Sequence, residues 1–157
     1  MTKLFRIATS EHISDISGIG ARIYGGRWNH QGYPVVYASS SRSLAVLEFL
    51  VHVPMALAPE NLSILEINII ETVEIESVNK SQLPLNWRDY PAPEQLANIG
   101  TKWLKSKSSL LLEIPSAVVE KEVNILINPL HEDIKNVNLV SIEKFSFDPR
   151  LTRRNSN

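Results

Sequence analysis

Between Ser43 and Val51 the only ionisable side chain is Glu48. At 100° per residue it shares a helical face with Leu44, Leu47 and Val51, so a helix here would turn a carboxylate toward the core. Burying that charge is unfavourable unless it is paired or hydrogen-bonded, which leaves two readings. Either Glu48 is kept for chemistry, or it is half of a structural ion pair or snorkels at the helix edge. His52, one turn on, is a candidate hydrogen-bond partner. Arg27 lies between Gly26 and Trp28 in a loop, Gly25 to Pro34, that also holds Gly32. Flanking glycine lets backbone approach a ligand closely, and a guanidinium grips a phosphate with two parallel bonds. An exposed loop arginine is the plainer alternative. Tyr37 offers a flat ring suited to stacking on a heteroaromatic, or a core tyrosine. Ser116, after Pro115, is a hydroxyl that caps the next turn in its simplest reading.

These residues need a scaffold. Leu4 to Ala8 reads as an opening strand, Thr9 to Ile19 as a loop or short helix, and Val35 to Ala38 as a second strand. Ser41 to Val53 is predicted as a helix ended by Pro54, with serine hydroxyls at its start. Leu65, Ile67 and Ile69 alternate with Glu66 and Asn68, a strand over Ser63 to Ile70 with one wetter face. Another follows near Val73 to Val78. Pro84, Pro91 and Pro93 then mark a loop carrying Trp87, Arg88, Asp89 and Tyr90. Glu94 to Ser106 is a helix with Leu96, Ile99 and Trp103 on one face. Strands are expected at Ser109 to Ile114, Asn124 to Ile127 and Leu139 to Phe147. Many short strands with about two helices, unevenly spaced, predict an α+β domain rather than a doubly wound sheet.

Composition removes whole classes of function. The 157 residues fit one domain, and with no cysteine there is no thiolate chemistry or Cys-ligated metal. The four histidines (His12, His30, His52 and His131) form no HExxH or close pair, so no catalytic metal is expected. No Gly-x-Ser-x-Gly elbow points to acyl transfer. With 16 basic against 17 acidic residues, the chain lacks the positive charge that drives nucleic-acid binding, so no direct contact with nucleic acid is expected. No apolar run approaches the roughly 20 residues of a membrane helix, and the N-terminus has no signal-peptide pattern; a cytoplasmic protein is expected. Residues 152–157 read as a disordered tail.

Taken in order, Gly25-Gly26-Arg27-Trp28-Asn29 with Gly32, Val36-Tyr37-Ala38, Leu44-Ala45-Val46-Leu47-Glu48, Pro115-Ser116, Asn128-Pro129 with His131, and Phe147-Asp148-Pro149-Arg150-Leu151 resemble the RES-domain family. That family is the toxin half of RES–Xre toxin–antitoxin pairs. Arg27, Glu48 and Ser116 match the three residues of the family name, and Tyr37 matches the tyrosine counted with them. The resemblance spans residues 1–151. It implies an ADP-ribosyltransferase-like fold with a split β-sheet core and a few helices around an NAD-binding cleft. It also implies a toxin that arrests growth by consuming NAD⁺, through hydrolysis or phosphorolysis, with ADP-ribosylation of a protein as the alternative. A non-enzymatic interaction module is the competing class. NAD⁺ would be a substrate and no cofactor is expected. Partners would be a cognate Xre-type antitoxin and a second copy of the chain. On this reading Glu48 stabilises the cationic sugar, Arg27 anchors the diphosphate, Tyr37 packs on the nicotinamide side, and Ser116 hydrogen-bonds the nicotinamide amide or the ribose.

Overall fold

A computed structural model describes residues 1–53, 57–70 and 72–152. Pro54, the expected helix stop, and residues 153–157 of the expected tail lie outside the described residues. In chain order the elements are β1 (Thr2–Thr9), α1 (Ile19–Tyr24), β2 (Val36–Ser39), α2 (Arg42–His52), β3 (Leu62–Ile69), β4 (Ile75–Ser77), α3 (Glu94–Ser106), β5 (Leu111–Pro115), β6 (Val123–Ile127), β7 (Val137–Lys144) and a short α4 (Pro149–Thr152). The α+β class expected from the sequence is what the chain adopts.

The strands form one sheet in the order β4-β5-β6-β2-β1-β3-β7, antiparallel except between β4 and β5. The join between β2 and β1 is a single register pair, Phe5 with Ser39. The sheet is therefore two wings that part at their centre, as a split core requires. Alternation along the strands feeds two apolar clusters, one on each face. Val36 and Ala38, with Leu111, Ile125 and Ile127, join Leu4, Leu65, Ile67 and Ile69. Leu112, Ile114 and Leu126 turn the other way, onto Trp28, Leu96, Trp103 and Leu104, so α3 covers that face.

α3 spans the residues predicted for it, with Glu94 in its first turn, Lys105 in its last and Lys107 closing it in the left-handed region. Its seat is tight. A Cβ added to Gly100 would stand 1.8 Å from the Trp28 carbonyl oxygen, so only glycine lets the helix approach the loop backbone this closely. α2 begins where the Ser41 hydroxyl accepts the Leu44 N–H at 3.1 Å. Its buried edge differs from the predicted face: Leu44 and Ala45 are buried, while Leu47 and Val51 are 42% and 57% exposed. The apolar residues wrap further round this helix than the sheet can cover. α1 was not expected, because six residues are too few to display a period and none is buried. β7 stops at Lys144, before the predicted Phe147. Phe147 leaves the sheet and stacks on Phe49 of α2 with ring centroids 5.9 Å apart. The C-terminal segment thus braces the helix that carries Glu48.

Candidate functional site

The cleft opens where β1 and β2 part. Its volume is about 750 Å³, within the usual range for a small-molecule site. Arg27, Tyr37 and Glu48 all line it, with Phe49 and His52 of α2 alongside. A shallower groove of about 560 Å³ adjoins it past Tyr24 and Pro93, and Arg27 borders both spaces.

The loop that offers Arg27 is built on a buried asparagine. Gly26 N–H donates to the Asn29 carbonyl at 2.9 Å. The Asn29 amide donates to the Ala21 and Tyr33 carbonyls at 2.8 and 3.1 Å, and its oxygen accepts the Tyr37 hydroxyl at 2.6 Å. That hydroxyl in turn accepts the Trp28 N–H at 3.1 Å. Gly26 has to be glycine: a Cβ there would lie 2.7 Å from the Tyr37 oxygen and 2.9 Å from Asn29 Oδ1. With both hydroxyl functions committed to the loop, Tyr37 has its ring left to offer the cleft. Burial pushes the phenol well above its ordinary range, with Trp28 N–H and the Arg27 charge opposing, so it remains a hydrogen-bond donor to Asn29.

Arg27 is half-buried, which removes the reading of a freely exposed loop arginine. One guanidinium nitrogen donates to the Trp87 carbonyl at 2.9 Å, fixing the side chain. Burial lowers its pKa, and Glu48, followed by Tyr37, Asp89 and Tyr90, opposes the shift. No ion pair within 4 Å joins Arg27 to Glu48 among the described residues. The cation is held but not neutralised.

Glu48 is half-buried, and its partners are not those expected. His52 is exposed and makes no hydrogen bond to it. Instead Oε1 accepts the Ser116 hydroxyl at 2.7 Å and the Asn124 amide at 2.6 Å. Neither is charged, so Glu48 is not half of a buried ion pair. Ser116 is fully buried, and its oxygen also accepts the N–H groups of Val118 and Val119 at 3.1 and 2.9 Å. It both caps the turn, as in its simplest reading, and supports Glu48. Its one proton and both lone pairs are used, and it does not line the cleft, so its geometry differs from the expected direct contact with a ligand.

Asn124 is the site residue that sequence reasoning missed. Its one signal was an amide beside the apolar run of β6, where asparagine is a poor strand former. Asn29 is legible in the sequence only within its motif, and Asn128 and His131 are architectural. The Asn128 amide donates to the Leu104 carbonyl at 3.1 Å, and His131 Nδ1 accepts the Asp133 N–H at 3.1 Å.

A split sheet whose parting is lined by a fixed arginine, a tyrosine and a hydrogen-bonded carboxylate defines a small-molecule cleft of one particular architecture. The RES domain family model matches residues 3–148, and the chain belongs to that family. The chain is 39% identical over 158 positions to the "Prs ADP-ribosylating toxin" of Sphingobium sp. (strain YBL2), with 98% of each chain covered. It is 42% identical over 151 positions to a "Toxin Res" of Yersinia enterocolitica, covering 94% of this chain and 98% of that one. The toxin in the crystal structure of the M. tuberculosis MbcT–MbcA toxin–antitoxin complex has a similar fold, with a TM-score of 0.75 at 17% identity, over 95% of this chain and 85% of that chain.

Proposed function

We propose that this chain is the toxin of a type II toxin–antitoxin pair and that it arrests growth by cleaving the nicotinamide–ribose bond of NAD⁺. The observation that carries the reading is Glu48: a carboxylate on the wall of a cleft that also holds a positioned, unneutralised arginine and an aromatic ring. Breaking this bond builds positive charge on the ribose, and a preorganised carboxylate stabilises that oxocarbenium-like state. Nicotinamide carries its positive charge before departure and leaves neutral, so no acid has to protonate it. Arg27 would hold the diphosphate and Tyr37 would present its ring to the nicotinamide. Ser116 would act from behind, on Glu48.

The acceptor is water or phosphate on this reading. Transfer to a protein is the second reading, favoured by the name of the Sphingobium relative. An antitoxin of the Xre type would cover the cleft mouth, where Ile19, Ile23 and Tyr24 of α1 stand exposed, and the toxin would pair with a second copy of itself. The test is incubation of the purified protein with NAD⁺, with and without inorganic phosphate, followed by chromatography of the products. Free nicotinamide is expected in either case. A phosphate-dependent second product identifies phosphorolysis, and label on protein identifies transfer. Intact NAD⁺ under all conditions overturns the proposal.

A further inference from the structure

Both hydrogen bonds to Glu48 fall on one oxygen. Oε1 accepts from Ser116 at 2.7 Å and from Asn124 at 2.6 Å, whereas Oε2 accepts none from the described residues. Asn124 is itself held from behind. Its Oδ1 accepts the Ser39 hydroxyl at 2.8 Å, and Ser39 is 5% exposed. Ser39 and Asn124 are register partners across β2 and β6, and Ser39 is also the residue paired with Phe5 at the join of the two wings. Ser39 anchors the oxygen end of the amide, and the carboxylate of Glu48, which can only accept, fixes which end faces it. The opposite orientation would put the amide oxygen against a carboxylate oxygen, two acceptors with no proton between them.

We infer that Asn124, anchored by Ser39, is a positioning residue that pins the Glu48 carboxylate by one oxygen and leaves the other turned to the cleft. A long side chain that approaches from a helix would otherwise sample several rotamers beside an open space. Two neutral donors hold it without cancelling its charge, which an arginine or lysine in their place would do. The inference rests on the reading that Glu48 acts on NAD⁺, and it adds a residue and a relay to that reading.

The test uses Asn124→Ala, Ser39→Ala, Glu48→Gln and the double variant Glu48→Gln/Asn124→Ala, each followed for kcat, KM for NAD⁺ and thermal midpoint. Loss of a hydrogen bond to a charged group should lower kcat of Asn124→Ala about tenfold or more while KM stays within about twofold. Ser39→Ala, which frees the amide without deleting it, should lower kcat by a smaller factor and provides a second route should Asn124→Ala fold poorly. A residue that acts through Glu48 has nothing left to position once the charge is gone. Asn124→Ala should therefore cause no further loss beyond about twofold in the Glu48→Gln background. The same fold-loss in both backgrounds overturns the inference, and so does a raised KM with kcat unchanged, which would make Asn124 a substrate contact. Should the unaltered protein leave NAD⁺ intact, the underlying reading falls and this inference with it. An active parent with normal kcat in Asn124→Ala and Ser39→Ala overturns the inference alone.

Discussion

Arg27 in its loop and Tyr37 on β2 show how two neighbouring side chains divide the work of holding and being held. Arg27 is tied to the Trp87 carbonyl yet remains a net cation on the cleft wall. Arg27→Ala should raise KM for NAD⁺ while shifting stability by only about 1 kcal/mol, the loss of one ordinary hydrogen bond. Arg27→Lys should rescue poorly, because an ammonium cannot reproduce the planar fork. Steady-state kinetics on the two variants checks this, and a lysine variant with normal KM would remove the two-bond grip. Tyr37 makes a pH prediction. Its folded pKa lies above the ordinary value of about 10, so its contribution to stability is fully present below that pH. As pH rises past about 10 the unfolded chain ionises first, and stability falls. Denaturation midpoints from pH 8 to 11 should decline more steeply for the parent than for Tyr37→Phe, which cannot ionise; parallel curves would contradict this.

Among the elements, most of what positions the site could be read from the chain. Ser41 capping α2, the limits of α3 and the short β2 all follow from local chemistry that tertiary contacts leave alone. Arg27, Tyr37 and Glu48 were likewise visible as residue types out of place in their surroundings, and the fold brings them to one cleft. Long-range contacts were not visible. The true edge of α2 depends on how much of the helix the sheet covers, and Glu48's partners, Ser116 just after β5 and Asn124 in β6, stand 68 and 76 residues away along the chain. No spacing rule reports such pairs. α3 and α1 supply a contrast between two glycines. Gly100→Ala forces the helix off Trp28 and should lower stability by about 1–3 kcal/mol or more, the range for overpacking. Gly20→Ala meets nothing within 4 Å inside α1 and should raise stability by up to about 1 kcal/mol through helix propensity. Urea denaturation of both variants measures the contrast, and equal effects would show that the close approach of α3 is not a constraint.

Considered whole, the molecule opens its sheet at one register pair and braces the helix beside that opening with Phe147. An inhibitor that occludes the cleft would have to cover that opening. Leu47, exposed on α2 and not part of the cleft lining, offers such a partner apolar contact. Leu47→Asp should weaken antitoxin binding about tenfold or more, on the scale of a moderate interface anchor, while leaving NAD⁺ turnover intact. Titration with the cognate antitoxin checks this, and an unchanged affinity would direct the partner elsewhere.

On the proposed reading, Glu48 stabilises the cation formed as nicotinamide leaves. Glu48→Gln keeps the shape, retains an oxygen for the Ser116 and Asn124 donors, and removes the charge. The most direct measurement is the rate of nicotinamide release from NAD⁺ by the parent and the Gln variant, with the thermal midpoint of each recorded. Release by the parent is expected, with a fall of about 10² or more in the variant, the size seen when one preorganised electrostatic group is lost, and with folding retained. A folded Gln variant that releases nicotinamide at the parent rate, or a parent that releases none, would contradict it.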